Sequence, residues 1–205
     1  MDRRSFLNAI SAIPVAALGL RSLLRPAFGE ASIPFDPEVP IGGNPDGDVR
    51  IIAFLDYNCP FCKKSAPDLE RIVRTDGNVR LVYKDWPILT ESSVFGAQIA
   101  LGTKYQGRYE TAHKALMSIP GHGVAKERML AAIKGSDINI ARLQVDLDAH
   151  QADIAALLKR NIAQAEALGF QGTPTYIVGP FVSGPLDYDG FRQKVADARA
   201  SPAKR

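Results

Sequence analysis

The chain has 205 residues, of which 46% are hydrophobic and 23% are charged, a balance that is typical of a folded globular protein and excludes disordered, collagen-like and coiled-coil chains. Beyond residue 29 the chain holds 21 basic and 21 acidic residues, so its composition gives no support for binding to nucleic acid. With two cysteines in all, it is neither a disulfide-framed mini-protein nor, as a single chain, a four-thiolate metal site.

Residues 1–29 have the pattern of an export signal. Arg3 and Arg4 are followed by Phe-Leu and then by a largely apolar run over 9–24, which resembles a twin-arginine signal. That run is too short and too interrupted for a stable membrane anchor, and a helix lying on the membrane surface is the alternative. Small residues predict cleavage after Gly29, with Ala31 as the second choice. We therefore expect a periplasmic or otherwise exported protein that is soluble after cleavage, in a compartment where disulfides persist.

The next elements form a strand, a helix and a second strand. Residues 30–48 are rich in proline and glycine and predict an extended lead-in. The apolar run Val49–Leu55 predicts a strand buried on both faces. A helix is predicted over 59–74, since Pro60 is tolerated in a first helical turn, and a strand over 79–84. Together they form a βαβ unit.

The second half of the chain is predicted to be mainly helical before strand patterns return. Alanine, leucine, glutamine, lysine and glutamate dominate a stretch from about 91 to 169, which predicts a helical insertion. Its predicted helices cover about 92–106, 108–118, 125–134 and 149–168. Strands at 175–178 and 181–182 and a helix over 186–200 complete the chain. The predicted fold is α/β, in the order βαβ, a large helical insertion, then ββα, in one domain over 49–200.

Both cysteines lie where the first predicted strand becomes a helix, in the segment Asn58-Cys59-Pro60-Phe61-Cys62. A thiol at a helix N-terminus faces unpaired backbone N–H groups and the positive end of the helix dipole, which lowers its pKa. Cys59 is therefore the predicted attacking sulfur. Cys62, one turn inward, is the predicted resolving sulfur. A disulfide between them closes a small ring that hardly constrains the unfolded chain, so a purely structural bridge would be poorly placed.

Metal binding is the main rival use of this cysteine pair. The histidines, His113, His122 and His150, have no paired spacing, so no metal site is predicted for a single chain. No organic cofactor is predicted either, because disulfide exchange between cysteines needs none. A dimer that shares two cysteine pairs could still bind copper(I) or zinc. A non-enzymatic copper-binding or chaperone protein therefore remains an alternative.

A second motif, Gly172-Thr173-Pro174-Thr175, precedes the third predicted strand, a position where proline is tolerated. A strand, Cys-x-x-Cys, a helix, a helical insertion and this motif together resemble the thioredoxin fold, and more narrowly the DsbA-like family of exported thiol-disulfide oxidoreductases. The stretch 83–89 is also similar, and the resemblance spans roughly 49–198. It implies a cis Thr173–Pro174 bond and a Thr173 backbone that pairs with bound substrate.

An apolar rim around the cysteines would suit an enzyme that docks unfolded chains. Pro60 and Phe61, between the cysteines, are the further substrate-binding candidates. Tyr57, Trp86 and Phe181 could extend the rim, with core packing as the alternative for each.

The sequence departs from the DsbA-like pattern at two positions. Many relatives carry a buried carboxylate six residues before the first cysteine, where this chain has Ala53. Asp56, three residues before Cys59, is either a partial substitute or a turn residue. The strongest oxidants of the DsbA-like family have histidine at the position of Phe61. The phenyl ring provides neither the hydrogen bond nor the charge of a histidine. We therefore expect an oxidising but less extreme pair.

The resemblance implies an exported oxidase that introduces disulfides into other exported proteins. A substrate thiolate would attack Cys59, and Cys62 would be the leaving group. The expected partners are unfolded exported proteins with cysteines and a membrane redox protein that reoxidises or reduces the pair, and a monomer is expected. A disulfide reductase or isomerase that works from the dithiol state is the alternative within this fold. A glutathione-dependent transferase fits less well, because such relatives usually keep one nucleophile.

Overall fold

The fold is a mixed sheet with helices on both faces, seen in a computed structural model that describes Ile33 and residues 36–201. The predicted export signal over 1–29 and its cleavage positions lie outside the described residues. The strands are β1 (Ile41–Gly43), β2 (Val49–Leu55), β3 (Val79–Asp85), β4 (Thr175–Val178) and β5 (Phe181–Ser183). The helices are α1 (Pro60–Asp76), α2 (Glu91–Gly102), α3 (Tyr109–Met117), α4 (Lys126–Lys134), α5 (Ile140–Ala149), α6 (Gln151–Ala167) and α7 (Tyr188–Ala200).

Strand β2 lies at the centre of the sheet, whose order is β1-β3-β2-β4-β5. It pairs in parallel with β3 and antiparallel with β4. Apart from Arg50 its residues are buried, because helices cover both faces of the sheet. After β2 the polypeptide therefore leaves the sheet between the end of β3 and the start of β4.

Residues of alternate parity on these strands pack on opposite faces of the sheet. On one face Tyr176 contacts Ser65 of α1 and the Phe191 ring of α7. On the other face Phe54 packs edge-on against Trp86 and Phe170. Since side chains alternate along a strand, Ala53 and Phe54 of β2 belong to these two opposite layers.

The predicted α/β order is confirmed, with two local differences. The lead-in contains β1, which pairs antiparallel with β3 through Ile41 and Val82; a three-residue strand with two glycines has no recognisable strand pattern. No helix is predicted from the sequence over 140–149, where α5 lies. Leu143 and Asp146 are the buried residues of α5, so the apolar periodicity is weak there.

The helical insertion is divided more finely than its sequence pattern indicates. The first predicted helix, 92–106, is α2 followed by a 3-10 turn at Thr103–Gln106. His150 separates α5 from α6. Within the part of the chain that the structure describes, no helix has the length and apolar character needed to cross a membrane.

Candidate active site

Cys59 is the N-cap of α1, and Cys62 lies one turn into the helix. The Cys59 backbone is extended, with φ −77° and ψ 117°, and its Sγ accepts a hydrogen bond from the Cys62 backbone N–H at 3.3 Å. Pro60 occupies the first turn, where its missing N–H costs no intrahelical bond. Both cysteines are buried free thiols. The helix end thus holds one sulfur at its N-terminus and the second directly behind it.

The two thiols have opposite pKa shifts. A hydrogen bond from Cys62 is the largest cause that lowers the Cys59 pKa, to about 6, and contacts with Thr173 and the backbone of 61 and 62 add to it against the effect of burial. Burial raises the Cys62 pKa, and the neighbouring Cys59 raises it further. At neutral pH the pair therefore holds a thiolate at Cys59 and a thiol at Cys62.

The Thr173–Pro174 segment lies directly beside Cys59. Its peptide bond is cis, and the Thr173 carbonyl oxygen lies 3.1 Å from the Cys59 Sγ, from which it accepts a hydrogen bond when the thiol is protonated. The next residue, Thr175, begins β4, and its hydroxyl donates to the Gly172 carbonyl at 2.7 Å. The structure thus brings together the two motifs, 114 positions apart in sequence.

Asp56 makes the contacts of a turn residue. One carboxylate oxygen accepts from the Asn58 N–H at 2.7 Å, and the other accepts from Ile88 and Leu89 at 2.8 and 3.0 Å. Its carbonyl oxygen accepts from the Cys59 N–H at 3.1 Å. Asp56 therefore ties the end of β2 to the loop after β3.

Asn58, which the sequence analysis did not identify, connects the cysteine segment to the helical insertion. Its amide donates to the hydroxyls of Thr90 and Ser92 at 2.8 and 2.9 Å, and its carbonyl oxygen accepts from the Val124 N–H at 2.7 Å. Thr90 is the N-cap of α2, and Val124 precedes α4. The residue before Cys59 is thus held at the starts of two helices.

A buried carboxylate lies in the same layer as Ala53, but it is on the neighbouring strand. Ala53 pairs with Tyr83, and two residues further on Leu55 pairs with Asp85. The Tyr109 hydroxyl donates to Asp85 at 2.9 Å. Burial raises the Asp85 pKa to about 7, although hydrogen bonds from tyrosines act to lower it. No local signal in the sequence points to this acid, because Asp85 ends a strand 26 residues after Cys59.

For two of the aromatic rim candidates the alternative, core packing, is confirmed. Tyr57 and Trp86 are core residues, 1% and 4% exposed, and the Tyr57 hydroxyl lies 3.1 Å from His113 Nδ1. Phe61 is 59% exposed, whereas Phe181 is half-buried beneath the ammonium of Lys194.

The three histidines lie in separate environments. His113 is buried against Tyr57, His150 stacks on Tyr105 with ring centroids 3.6 Å apart, and His122 is exposed. Over Ile33 and 36–201, no three of the His, Cys, Asp and Glu side chains gather as they would around a metal ion.

A thioredoxin-type sheet with a Cys-x-x-Cys pair at a helix N-terminus defines a class, the thiol-disulfide oxidoreductases. The chain belongs to the thioredoxin family, whose family model, described as "Thioredoxin", matches residues 36–197. Its relatives place it in the DsbA-like branch of that fold.

Similar proteins include both solved structures and a curated relative. A thioredoxin-like oxidoreductase from Silicibacter pomeroyi is 36% identical with a TM-score of 0.75, covering 82% of this chain and 95% of that chain. The thiol-disulfide exchange protein alpha-DsbA2 from Wolbachia pipientis is 28% identical with a TM-score of 0.74, covering 80% of this chain and 88% of that chain. The probable disulfide bond formation protein D of Bacillus anthracis is 22% identical over 163 residues, 75% of each chain.

Proposed function

We propose that this thiol-disulfide oxidoreductase is an exported DsbA-like oxidase that introduces disulfides into other exported proteins. The observation that carries the proposal is the position of Cys59 at the N-terminus of α1, where its Sγ accepts from the Cys62 backbone N–H at 3.3 Å and its pKa is lowered to about 6. A thiolate stabilised in the reduced protein makes the disulfide easier to reduce, and so a better oxidant. At pH 7, lowering one thiol pKa from 9.0 to about 6 favours the reduced form by about 1.4 kcal/mol, or about 30 mV.

The proposed reaction transfers a disulfide from the cysteine pair to the substrate. A substrate thiolate attacks Cys59 Sγ in the oxidised pair, the Cys59–Cys62 bond breaks, and Cys62 leaves and is protonated. A second substrate thiolate then attacks the substrate sulfur of the mixed disulfide, and Cys59 leaves as a stabilised thiolate. The substrate loses two electrons and the pair gains them.

The substrate is proposed to lie against the residues that surround the sulfurs. The backbone of Thr173 would pair with an extended substrate segment next to Pro174, and Pro60 and Phe61 would contact it beside the cysteines. We propose that no organic cofactor takes part, since the electrons reside in the sulfur pair, and that a membrane redox protein reoxidises the monomeric enzyme. Export is supported by the twin-arginine pattern in residues 1–29.

The redox equilibrium of the pair in glutathione buffers tests the direction of transfer. Free thiols are trapped by alkylation and counted by mass, with Cys59→Ser as the control that cannot form the pair. An oxidase should have a midpoint more oxidising than about −200 mV, whereas a reductive thioredoxin lies near −270 mV. A midpoint near the second value would support the reductase alternative instead.

A further inference from the structure

A cavity of about 880 Å³ lies between α1 and α3. Strand β3 contributes Leu81 and Tyr83 to its lining, and the chain after α3 contributes Gly121. The remaining walls are largely apolar and include Ala66, Pro67, Leu69, Met117, Ile119 and Pro120. Cavities of this size and character hold small molecules in other proteins.

Two hydrogen bonds show that α3 runs antiparallel to α1. Lys114 of α3 donates to the Glu70 carboxylate of α1 at 2.8 Å. Lys63, near the start of α1, donates to the carbonyl oxygen of Gly121, beyond the end of α3, also at 2.8 Å. In a helix the distance from Lys63 to Glu70 is about 10 Å along the axis. The cavity therefore extends along α1 from the cysteine end toward Glu70.

The two ends of the cavity differ in charge. Lys63 and Lys64 line the end near the cysteines, and Lys64 is exposed and has no ion pair among residues 36–201. At the far end Lys114 pairs with Glu70 at 2.8 Å, and Glu110 accepts a hydrogen bond from a tyrosine of β3. The cysteine end is therefore the cationic one, and it is complementary to an anionic group.

His113 is a buried polar side chain between these ends. It lines the cavity but is 8% exposed, and its Nδ1 lies 3.1 Å from the Tyr57 hydroxyl. The Tyr109 hydroxyl donates to Asp85 and lies farther from the Tyr57 hydroxyl, at 3.4 Å. We therefore assign the Tyr57 proton to the bond with Nδ1. Burial lowers the His113 pKa to about 4, so at pH 7 the ring is neutral and carries its proton on Nε2.

The Nε2 donor of His113 has no hydrogen-bond partner in the described part of the chain, Ile33 and 36–201. A buried donor that stays unpaired costs free energy, so an acceptor that reaches it from the cavity binds favourably. His113 directly precedes Lys114 on α3. The acceptor therefore belongs in the body of a ligand whose anionic group lies at the cysteine end.

We propose that this cavity is a site for a small apolar carboxylate that carries a carbonyl oxygen in its body. The carboxylate lies at Lys63 and Lys64, the carbonyl oxygen accepts from His113 Nε2, and the apolar body packs on the walls. The site is distinct from the sulfur pair. It does not depend on the direction in which the cysteines transfer a disulfide.

Three matched probes test the site by calorimetry. They are para-benzoylbenzoate, its analogue para-benzylbenzoate, in which a methylene replaces the ketone, and the neutral para-benzoylbenzamide. A ligand of this size should bind with a Kd of about 0.2 mM. The methylene analogue lacks the acceptor and the amide lacks the charge, so each should bind about fivefold more weakly.

Three variants assign these preferences to residues. His113→Phe keeps a ring but loses the Nε2 donor, so it should bind the ketone and methylene acids equally, and unchanged affinity for the methylene acid shows that the cavity is intact. Lys64→Gln should weaken the two acids about threefold and leave the amide unaffected. Lys159→Gln is the matched control, since Lys159 is an exposed lysine of α6 that does not line the cavity. It should bind all three probes as the wild type does.

Photochemical cross-linking locates the bound probe. On irradiation the ketone carbon of para-benzoylbenzoate forms a bond to a nearby carbon of the protein, and the hydrogen of that carbon passes to the ketone oxygen. The adduct mass is therefore the sum of the two masses. Peptide mapping should place it on α1, β3 or α3, at wall residues such as Leu69, Leu81 or Met117.

Several results would overturn the proposal. Equal affinity for the three probes would show that neither the charge nor the carbonyl oxygen is recognised. A ketone preference that survives in His113→Phe, or a cross-link outside the cavity lining, would place the probe elsewhere. Displacement of the probe by an unfolded polypeptide would assign the cavity to a protein substrate instead.

Discussion

The rate of alkylation of Cys59 should depend on pH as expected for a thiol with a pKa of about 6. At pH 7 such a thiol is about 90% thiolate, whereas a thiol with the ordinary pKa of 9.0 is about 1% thiolate. The intrinsic reactivity of a thiolate falls with its pKa, by about twentyfold over three units at a Brønsted slope of about 0.45. Folded Cys59 should therefore react about fourfold faster than an unfolded cysteine at pH 7 and about tenfold slower at pH 9.

The measurement is a pH-rate profile of the reduced protein with iodoacetamide, quenched at intervals and read by mass. The same series in denaturant gives the unfolded reference, and Cys59→Ser should lose the fast reaction. Burial of the Cys59 sulfur lowers the alkylation rate by the same factor at every pH. The midpoint of the pH-rate profile is therefore the decisive quantity. Cys62→Ala removes the largest cause of the low Cys59 pKa, so its midpoint should move upward.

The same proton links the redox state of the protein to its stability. Because the Cys59 pKa is lower in the folded chain than in the unfolded one, its contribution is fully present above pH 9 and is lost as the pH falls through 6. The oxidised protein has no such proton. The free energy of unfolding of the reduced form should therefore rise, relative to the oxidised form, by about 1.4 kcal/mol per pH unit between pH 6 and 9. In the alkylation experiment, a pH-rate profile of the wild type with its midpoint near pH 9 would refute this account of the site. A midpoint that does not move in Cys62→Ala would refute it too.

Three further substitutions test the surrounding structure. The Asp85 pKa is raised to about 7 from 3.8, so the folded state holds a proton that the unfolded state releases, and wild-type stability should fall relative to Asp85→Asn as the pH rises from 4 to 7; parallel stability curves from urea unfolding would contradict this. Tyr176→Phe removes the 2.6 Å hydrogen bond to Ser65 and should cost about 1 kcal/mol in urea unfolding, and an unchanged midpoint would deny that bond a role. Phe54→Ala empties a fully buried site and should lower the free energy of unfolding by about 3–5 kcal/mol; a loss below about 1 kcal/mol would mean that the core collapses around the gap.

The central strands and the cysteine pair could be predicted because their signals are local. Val49–Leu55 is a short apolar run, and Cys59 and Cys62 share one helical turn with each other. The contacts that hold the site could not be predicted in this way. The Val124 N–H that donates to Asn58 lies 66 positions from it in sequence. The Tyr109 hydroxyl that donates to Asp85 lies 24 positions away. Ordinary residue types gave no indication that these groups would meet.

Exposure is a property that sequence pattern left open. Tyr57 and Trp86 follow strands near the cysteines, which made them reasonable rim residues, but the sheet and α3 enclose Tyr57 and the aromatic layer with Phe170 encloses Trp86. Ile88 and Leu89 read as ordinary apolar residues in the sequence. In the folded chain both side chains are exposed, while their backbone N–H groups bind Asp56.

The outermost strands of the sheet have a consequence for the proposed action on unfolded chains. An edge strand offers free N–H and C=O groups on which another chain can build. Here β1 and β5 are three residues long each, so an added strand would gain roughly one or two ladder bonds at either border. An aggregation-prone polypeptide therefore finds few backbone groups at which it could extend the sheet. On the proposed function, release of a bound chain would then depend on sulfur exchange, and the short edge strands would give its aggregation little to build on.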